Sequence, residues 1–156
     1  INIKKALELS CQVARAIEKL HSMGWVWHDC KPGNIIVTKE GNLRLLDFEG
    51  ACRVEEADGM VWGTKEFLPD DWDVNSSKYS PVSFDLYALG AVIYYLFCGR
   101  FYSKENPHPI EKLRPKIPAK LTKLIAVLLD QSPRNYPSAK QIVRSLQGEL
   151  LKISAL

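Results

Sequence analysis

Between Ile3 and His21 the apolar positions Ile3, Ala6, Leu7, Val13, Ala14, Ile17 and Leu20 recur at intervals that place them on one broad face, with Lys4, Glu8, Arg15 and Glu18 largely off it. At 3.6 residues per turn this spacing predicts an amphipathic helix, ended near Gly24. Two runs, Asn34–Thr38 and Leu43–Asp47, are short and apolar or β-branched, and they flank Lys39-Glu40-Gly41-Asn42, which is the pattern of a hairpin with a four-residue turn. Ser83–Cys98 is almost wholly apolar and closes at Gly99, so it reads as a buried helix. Leu121–Leu129 and Ser138–Leu151 predict two further helices, the last opened by a Ser138-x-x-Gln141 capping box. Gly50–Gly63 has little periodicity and reads as a long loop, and four prolines make Phe101–Pro118 mostly irregular. The expected architecture is mainly α, a helical bundle carrying one small β-hairpin and almost no other strand.

Composition changes this picture little. Apolar residues at 46% and charged residues at 25% of 156 fit one globular domain and exclude disorder or a disulfide-stapled miniprotein. The net charge of +3 is spread along the chain, which gives no support for nucleic-acid or membrane binding. Cys11, Cys30, Cys52 and Cys98 form no C-x-x-C pair, which argues against zinc and fits reduced thiols and a cytoplasmic location. The longest apolar stretch, Leu86–Cys98, is shorter than the roughly 20 residues a membrane helix needs. Residue 1 is isoleucine and no charged leader precedes an apolar run, so the sequence is expected to begin in mid-protein, without a secretory signal in this piece.

The candidate chemistry lies in one short stretch, Trp27-His28-Asp29-Cys30-Lys31-Pro32-Gly33-Asn34, where polar groups and a Pro-Gly turn crowd together as structural demands alone rarely require. Asp29 and Asp47 sit at the outer ends of the hairpin. Antiparallel strands bring such ends together, so two carboxylates 18 residues apart are expected to face one small volume suited to a metal and a phosphate.

These residues resemble the large C-terminal lobe of the protein kinase family, and the match runs through nearly the whole chain. Trp27-His28-Asp29-Cys30-Lys31-Pro32-Gly33-Asn34 is similar to the catalytic loop H-R-D-L-K-P-x-N, and Asp47-Phe48-Glu49 to the metal-binding D-F-G. Gly63-Thr64-Lys65-Glu66-Phe67-Leu68-Pro69-Asp70-Asp71 looks like the end of the activation segment, Ser83–Gly90 like D-x-x-S-L-G, and Asp130–Ser138 like D-P-x-x-R-P-S with an extra residue. The resemblance implies a Ser/Thr protein kinase lobe that uses ATP and Mg²⁺ and acts on a protein or peptide. It assigns Asp29 to accept the proton of the incoming hydroxyl, and Lys31 to lie over the transferred phosphoryl group. It makes Asn34 and Asp47 the metal ligands, and with Lys31 and Ile36 the nucleotide contacts, Ile36 under the adenine. Trp27 and Phe48 would stack beneath the site, Gly63 and Thr64 would form the acceptor wall, Asp85 would hold the loop through backbone amides, and Asp71 would pair with Arg134.

Departures from the pattern keep alternatives open. His28 replaces an arginine that in many kinases reads a phosphorylated loop, and the segment from Asp47 to Gly63 contains no Ser, Thr or Tyr. Activity is therefore not expected to be switched on by phosphorylation within that loop. Glu49 replaces the glycine of D-F-G, restricting a hinge and adding a carboxylate near the metal; the D-F-E form also resembles aminoglycoside, choline and lanthipeptide-synthetase-type kinases. No glycine-rich loop or V-A-I-K lysine is present, so the N-terminal lobe is expected elsewhere in the parent chain, and this piece alone is expected to be inactive. A pseudokinase or regulatory scaffold is the other reading that these departures allow.

Overall fold

The computed structural model describes residues 1–57, 63–69, 79–130 and 135–155. Helix α1 spans Ile3–Ser22, with the side chain of Asn2 accepting from the Lys5 amide at its start. Its buried face, Ala6, Leu7, Val13, Ala14 and Ile17 among others, is the stripe that the sequence spacing marks. Two ladders follow. Strand β1 (Trp25–Val26) pairs antiparallel with β4 (Cys52–Arg53), and β2 (Ile35–Val37) with β3 (Leu43–Leu45) in the register Ile35↔Leu45.

Helix α2, Pro81–Cys98, is the central element and packs against α1 and against α4, Ala119–Leu129. It begins two residues before the sequence-based boundary because Ser80 caps it and Pro81 occupies its first turn, where a missing amide costs nothing. Gly99 closes it at φ 69°, a left-handed conformation that suits glycine. Apolar enough and long enough to span a bilayer by composition alone, α2 is mostly buried within the chain. Helix α5, Ala139–Ser154, carries the expected capping box of Ser138 and Gln141 and packs on α1.

Two further features differ from the sequence reading. The β1–β4 ladder lies partly in the expected loop, and a single helical turn, α3 (Ile110–Leu113), interrupts the proline-rich stretch. Both are too short for any periodicity to show, and they are stabilised by tertiary contacts rather than by local pattern.

At Gly90 the helices α2 and α4 come into close contact. A Cβ there would lie 2.6 Å from Leu128 Cβ, so α2 and α4 meet without room for a methyl group. Alanine normally favours a helix over glycine by about 1 kcal/mol. Gly90→Ala is nevertheless expected to destabilise, by about 1–3 kcal/mol, because overpacking outweighs propensity. Urea denaturation reads the difference directly, and a variant more stable than the parent would show that these helices can part at little cost.

Candidate active site

The loop between β1 and β2 is held from below by α2. Asp85, fully buried in the second turn of α2, accepts hydrogen bonds from the backbone amides of Trp27 (2.8 Å) and His28 (2.7 Å), and its Oδ2 lies 2.9 Å from His21 Nε2. Ser80, not Asp85, caps α2, so the carboxylate is committed to the loop. The His21 contact was not legible from sequence; the only available signal was a histidine in the last turn of α1.

Two residues that are not glycine adopt positive φ, His28 at 68° and Asp47 at 59°. Such conformations cost about 1–3 kcal/mol each and persist where the surroundings over-determine them. Here each is tied by a hydrogen bond: the His28 amide by Asp85, and the Asp47 carbonyl by the indole Nε1 of Trp27 at 2.9 Å. The Trp27 ring is itself buried and stacks on Phe48 with centroids 5.4 Å apart. The chain before Asp29 and the chain after Asp47 thus run together into β1 and β4, while β2 and β3 join them on the other side.

Four polar side chains form one connected group. Asp29 Oδ2 accepts from Asn34 Nδ2 (2.7 Å) and lies 2.8 Å from Lys31 Nζ, and Thr64 Oγ1 donates to Asp29 Oδ1 (3.2 Å) while accepting from Lys31 Nζ (2.8 Å). Asn34, which is buried, also donates to the Asp29 carbonyl (3.0 Å). Asp29 and Lys31 share a cleft of about 210 Å³ with Asp47, Glu49, Gly50, Gly63 and Thr64. The two carboxylates at the ends of the hairpin therefore do face one volume.

Gly63 has φ 147°, and a Cβ on it would come within 3.0 Å of the His28 carbonyl, so this wall of the cleft can close on the loop only as glycine. Ile36 is on the open surface of the hairpin, half exposed, and does not line the cleft. The expected Asp71–Arg134 pair lies outside the described residues. Between Asp29 and Lys31 the thiol of Cys30 is wholly buried; burial, and then the carboxylates of Asp85 and Asp29, push it well above the ordinary thiol range, so it stays a neutral packing group.

Among the described residues no three His, Cys, Asp or Glu side chains form a metal cage. The donor set nonetheless fits Mg²⁺, which keeps waters and phosphate oxygens and needs only one or two protein ligands. Asp47 offers a carboxylate to the cleft, and Asn34 offers its amide oxygen, since its hydrogen bonds to Asp29 both run through Nδ2.

The protein kinase domain family model matches residues 1–146, and the chain belongs to that family. It is 31% identical over 150 residues to the serine/threonine-protein kinase PknA of Mycobacterium tuberculosis, covering 85% of this chain and 34% of that protein. With the serine/threonine-protein kinase PksC of Streptomyces coelicolor it shares 28% over 171 residues, 97% of this chain and 30% of the relative. Among solved structures, a rhoptry kinase from Toxoplasma gondii superposes with TM-score 0.73 at 21% identity, over 96% of this chain and 48% of that one. The chain thus spans about a third of the curated relatives it matches, and its fold is that of a kinase C-terminal lobe.

Proposed function

We propose that this chain is the catalytic lobe of a Ser/Thr protein kinase, which transfers the γ-phosphoryl group of MgATP to a hydroxyl once the rest of the parent completes the nucleotide site. The observation that carries this reading is that Asp29, Lys31 and Thr64, joined to one another and backed by the buried Asn34, line the same cleft as Asp47. Phosphoryl transfer asks little covalent chemistry of the protein, and mostly alignment and neutralisation of spreading charge. Asp29 is positioned to orient the acceptor hydroxyl and take its proton. Lys31, already bridging Asp29 and Thr64, supplies a positive charge at the wall where acceptor and phosphoryl group meet. Mg²⁺, held by Asn34 and Asp47, would neutralise the nucleotide phosphates.

The second reading, a scaffold without catalysis, is favoured by the departures at Trp27 and His28 and by the D-F-E triplet in place of D-F-G. Nucleotide binding separates the two. The full-length parent is expected to gain several degrees of thermal stability with MgATP, and to lose most of that gain when Mg²⁺ is chelated, because a ligand binding only the folded state stabilises it. Identical melting curves with and without MgATP would favour the scaffold.

A further inference from the structure

We propose that Lys104 is a positioning residue for the acceptor side of the cleft, an inference that rests on the phosphoryl-transfer reading above. Lys104 lies in the loop after α2, half-buried, and its Nζ donates to the backbone carbonyl of Leu68, 36 residues earlier in the chain. The ammonium also sits 5.6 Å from the centre of the ring of Tyr87, a fully buried residue of α2. One side chain thus ties that carbonyl to the central helix, with the aromatic face as its second anchor. Phe101 of the same loop reinforces the tie: it meets Phe67 edge to face with centroids 5.7 Å apart, and stacks on Tyr95 of α2 at 5.1 Å.

What Lys104 holds is the end of the short 3₁₀ turn Lys65–Phe67. The turn begins at Thr64, whose carbonyl accepts from the Phe67 amide (2.8 Å), and the Leu68 amide reaches back to the Lys65 carbonyl (3.3 Å). The Leu68 side chain lies against Gly63, where a Cβ would come within 3.0 Å of its Cδ2. Phe67 and Leu68 are buried, whereas Thr64 lines the cleft with its Oγ1 between Lys31 Nζ (2.8 Å) and Asp29 Oδ1 (3.2 Å). A continuous path of contacts therefore runs from the Lys104 ammonium through the Leu68 carbonyl and the turn to the Thr64 hydroxyl and the Asp29 carboxylate. Asp85 fixes one side of the cleft to α2, and Lys104 fixes the other. Lys104 does not line the cleft itself, so its action on the reaction is indirect. Without the ammonium the turn can shift, and a misplacement of about 1 Å in a positioned group costs on the order of 10²-fold in rate.

The test measures, in the full-length parent, phosphate transfer from MgATP to a degenerate peptide pool with one fixed serine. Lys104→Met keeps the length of the side chain and removes its charge and its donors. It is expected to lower kcat/KM for the pool by about 10–10²-fold while the KM for ATP stays within about twofold, because the wall carrying Thr64 moves and the nucleotide side does not. Lys104→Arg, which can still donate to the Leu68 carbonyl, is expected to recover most of the loss, and Lys104→Gln, a milder change, to fall between the two. A double-mutant cycle tests the path itself: in a Thr64→Val background, Lys104→Met should cost less than about threefold more, since the hydroxyl it acts through is already gone. Each variant is assayed below its own melting temperature, so that folded molecules are compared. An unchanged kcat/KM for the pool in Lys104→Met, an equal rise in the KM for ATP, or the full loss repeated in the Thr64→Val background would overturn the proposal. Failure of the underlying reading looks different, since the wild-type parent would then transfer no phosphate to the pool.

Discussion

Asp29→Asn in the full-length parent is expected to lower kcat by about 10²–10⁴-fold, the usual range for losing a positioned general base. The KM for ATP should move far less, because the proposed role of this residue is toward the acceptor and not the nucleotide. The carboxylate receives three side-chain partners, Lys31, Asn34 and Thr64, and is half-buried. Such a group is held in one orientation, as proton acceptance requires. An asparagine fills the same space but cannot take a proton, and its NH₂ would oppose the donors that now converge there. Asp47→Ala should also abolish transfer, but through the metal: raising Mg²⁺ should recover part of its activity and none of that of Asp29→Asn. A variant at Asp29 keeping more than a tenth of the parental kcat would remove this residue from proton acceptance.

Asp85→Ala is expected to lower stability by about 3–5 kcal/mol, measured as the free energy of unfolding in urea, a cost typical of breaking a buried, hydrogen-bonded charge. The substitution strands two buried backbone amides, those of Trp27 and His28, and takes the partner from His21. It also removes the hydrogen bond that ties the amide of His28, a residue at positive φ. A typical domain has about 5–15 kcal/mol of net stability, so this one side chain decides a large share of it. Asp85→Asn should lose less, since an amide oxygen can still accept from one of the two amides. A loss below about 1 kcal/mol for the alanine variant would mean that the loop does not hang from α2.

Much of the architecture follows from local pattern. The stripe Ala6–Leu7–Val13–Ala14–Ile17 on α1 and the Ser138/Gln141 box of α5 are local effects, set by spacing and by the nearest backbone groups. The hairpin was legible for the same reason, although its ladder stops at Leu45 and Asn34 sits in a short 3₁₀ turn before it. What escaped the sequence is what two to four residues cannot announce: β1, β4 and the single turn α3 have no period to read, and exist because the chain around them is already in place.

The residues of the cleft divide in the same way. Their types and order are written in the chain, and the order Asp29, Lys31, Asn34, Asp47, Thr64 is enough to suggest phosphoryl transfer. Their partners are not. That Trp27 pins the Asp47 carbonyl, that His21 backs Asp85 and that Glu49 shares a cleft with Gly63 and Thr64 are outcomes of packing between segments far apart in sequence. The sequence by itself determined the four longer helices, the hairpin and the inventory of reactive groups, because periodicity and turn chemistry act over a few residues. Only the tertiary structure decided which of those groups touch, since a hydrogen bond spanning 57 residues of chain, like that from His28 to Asp85, has no local signature and forms only once α2 is buried beneath the loop.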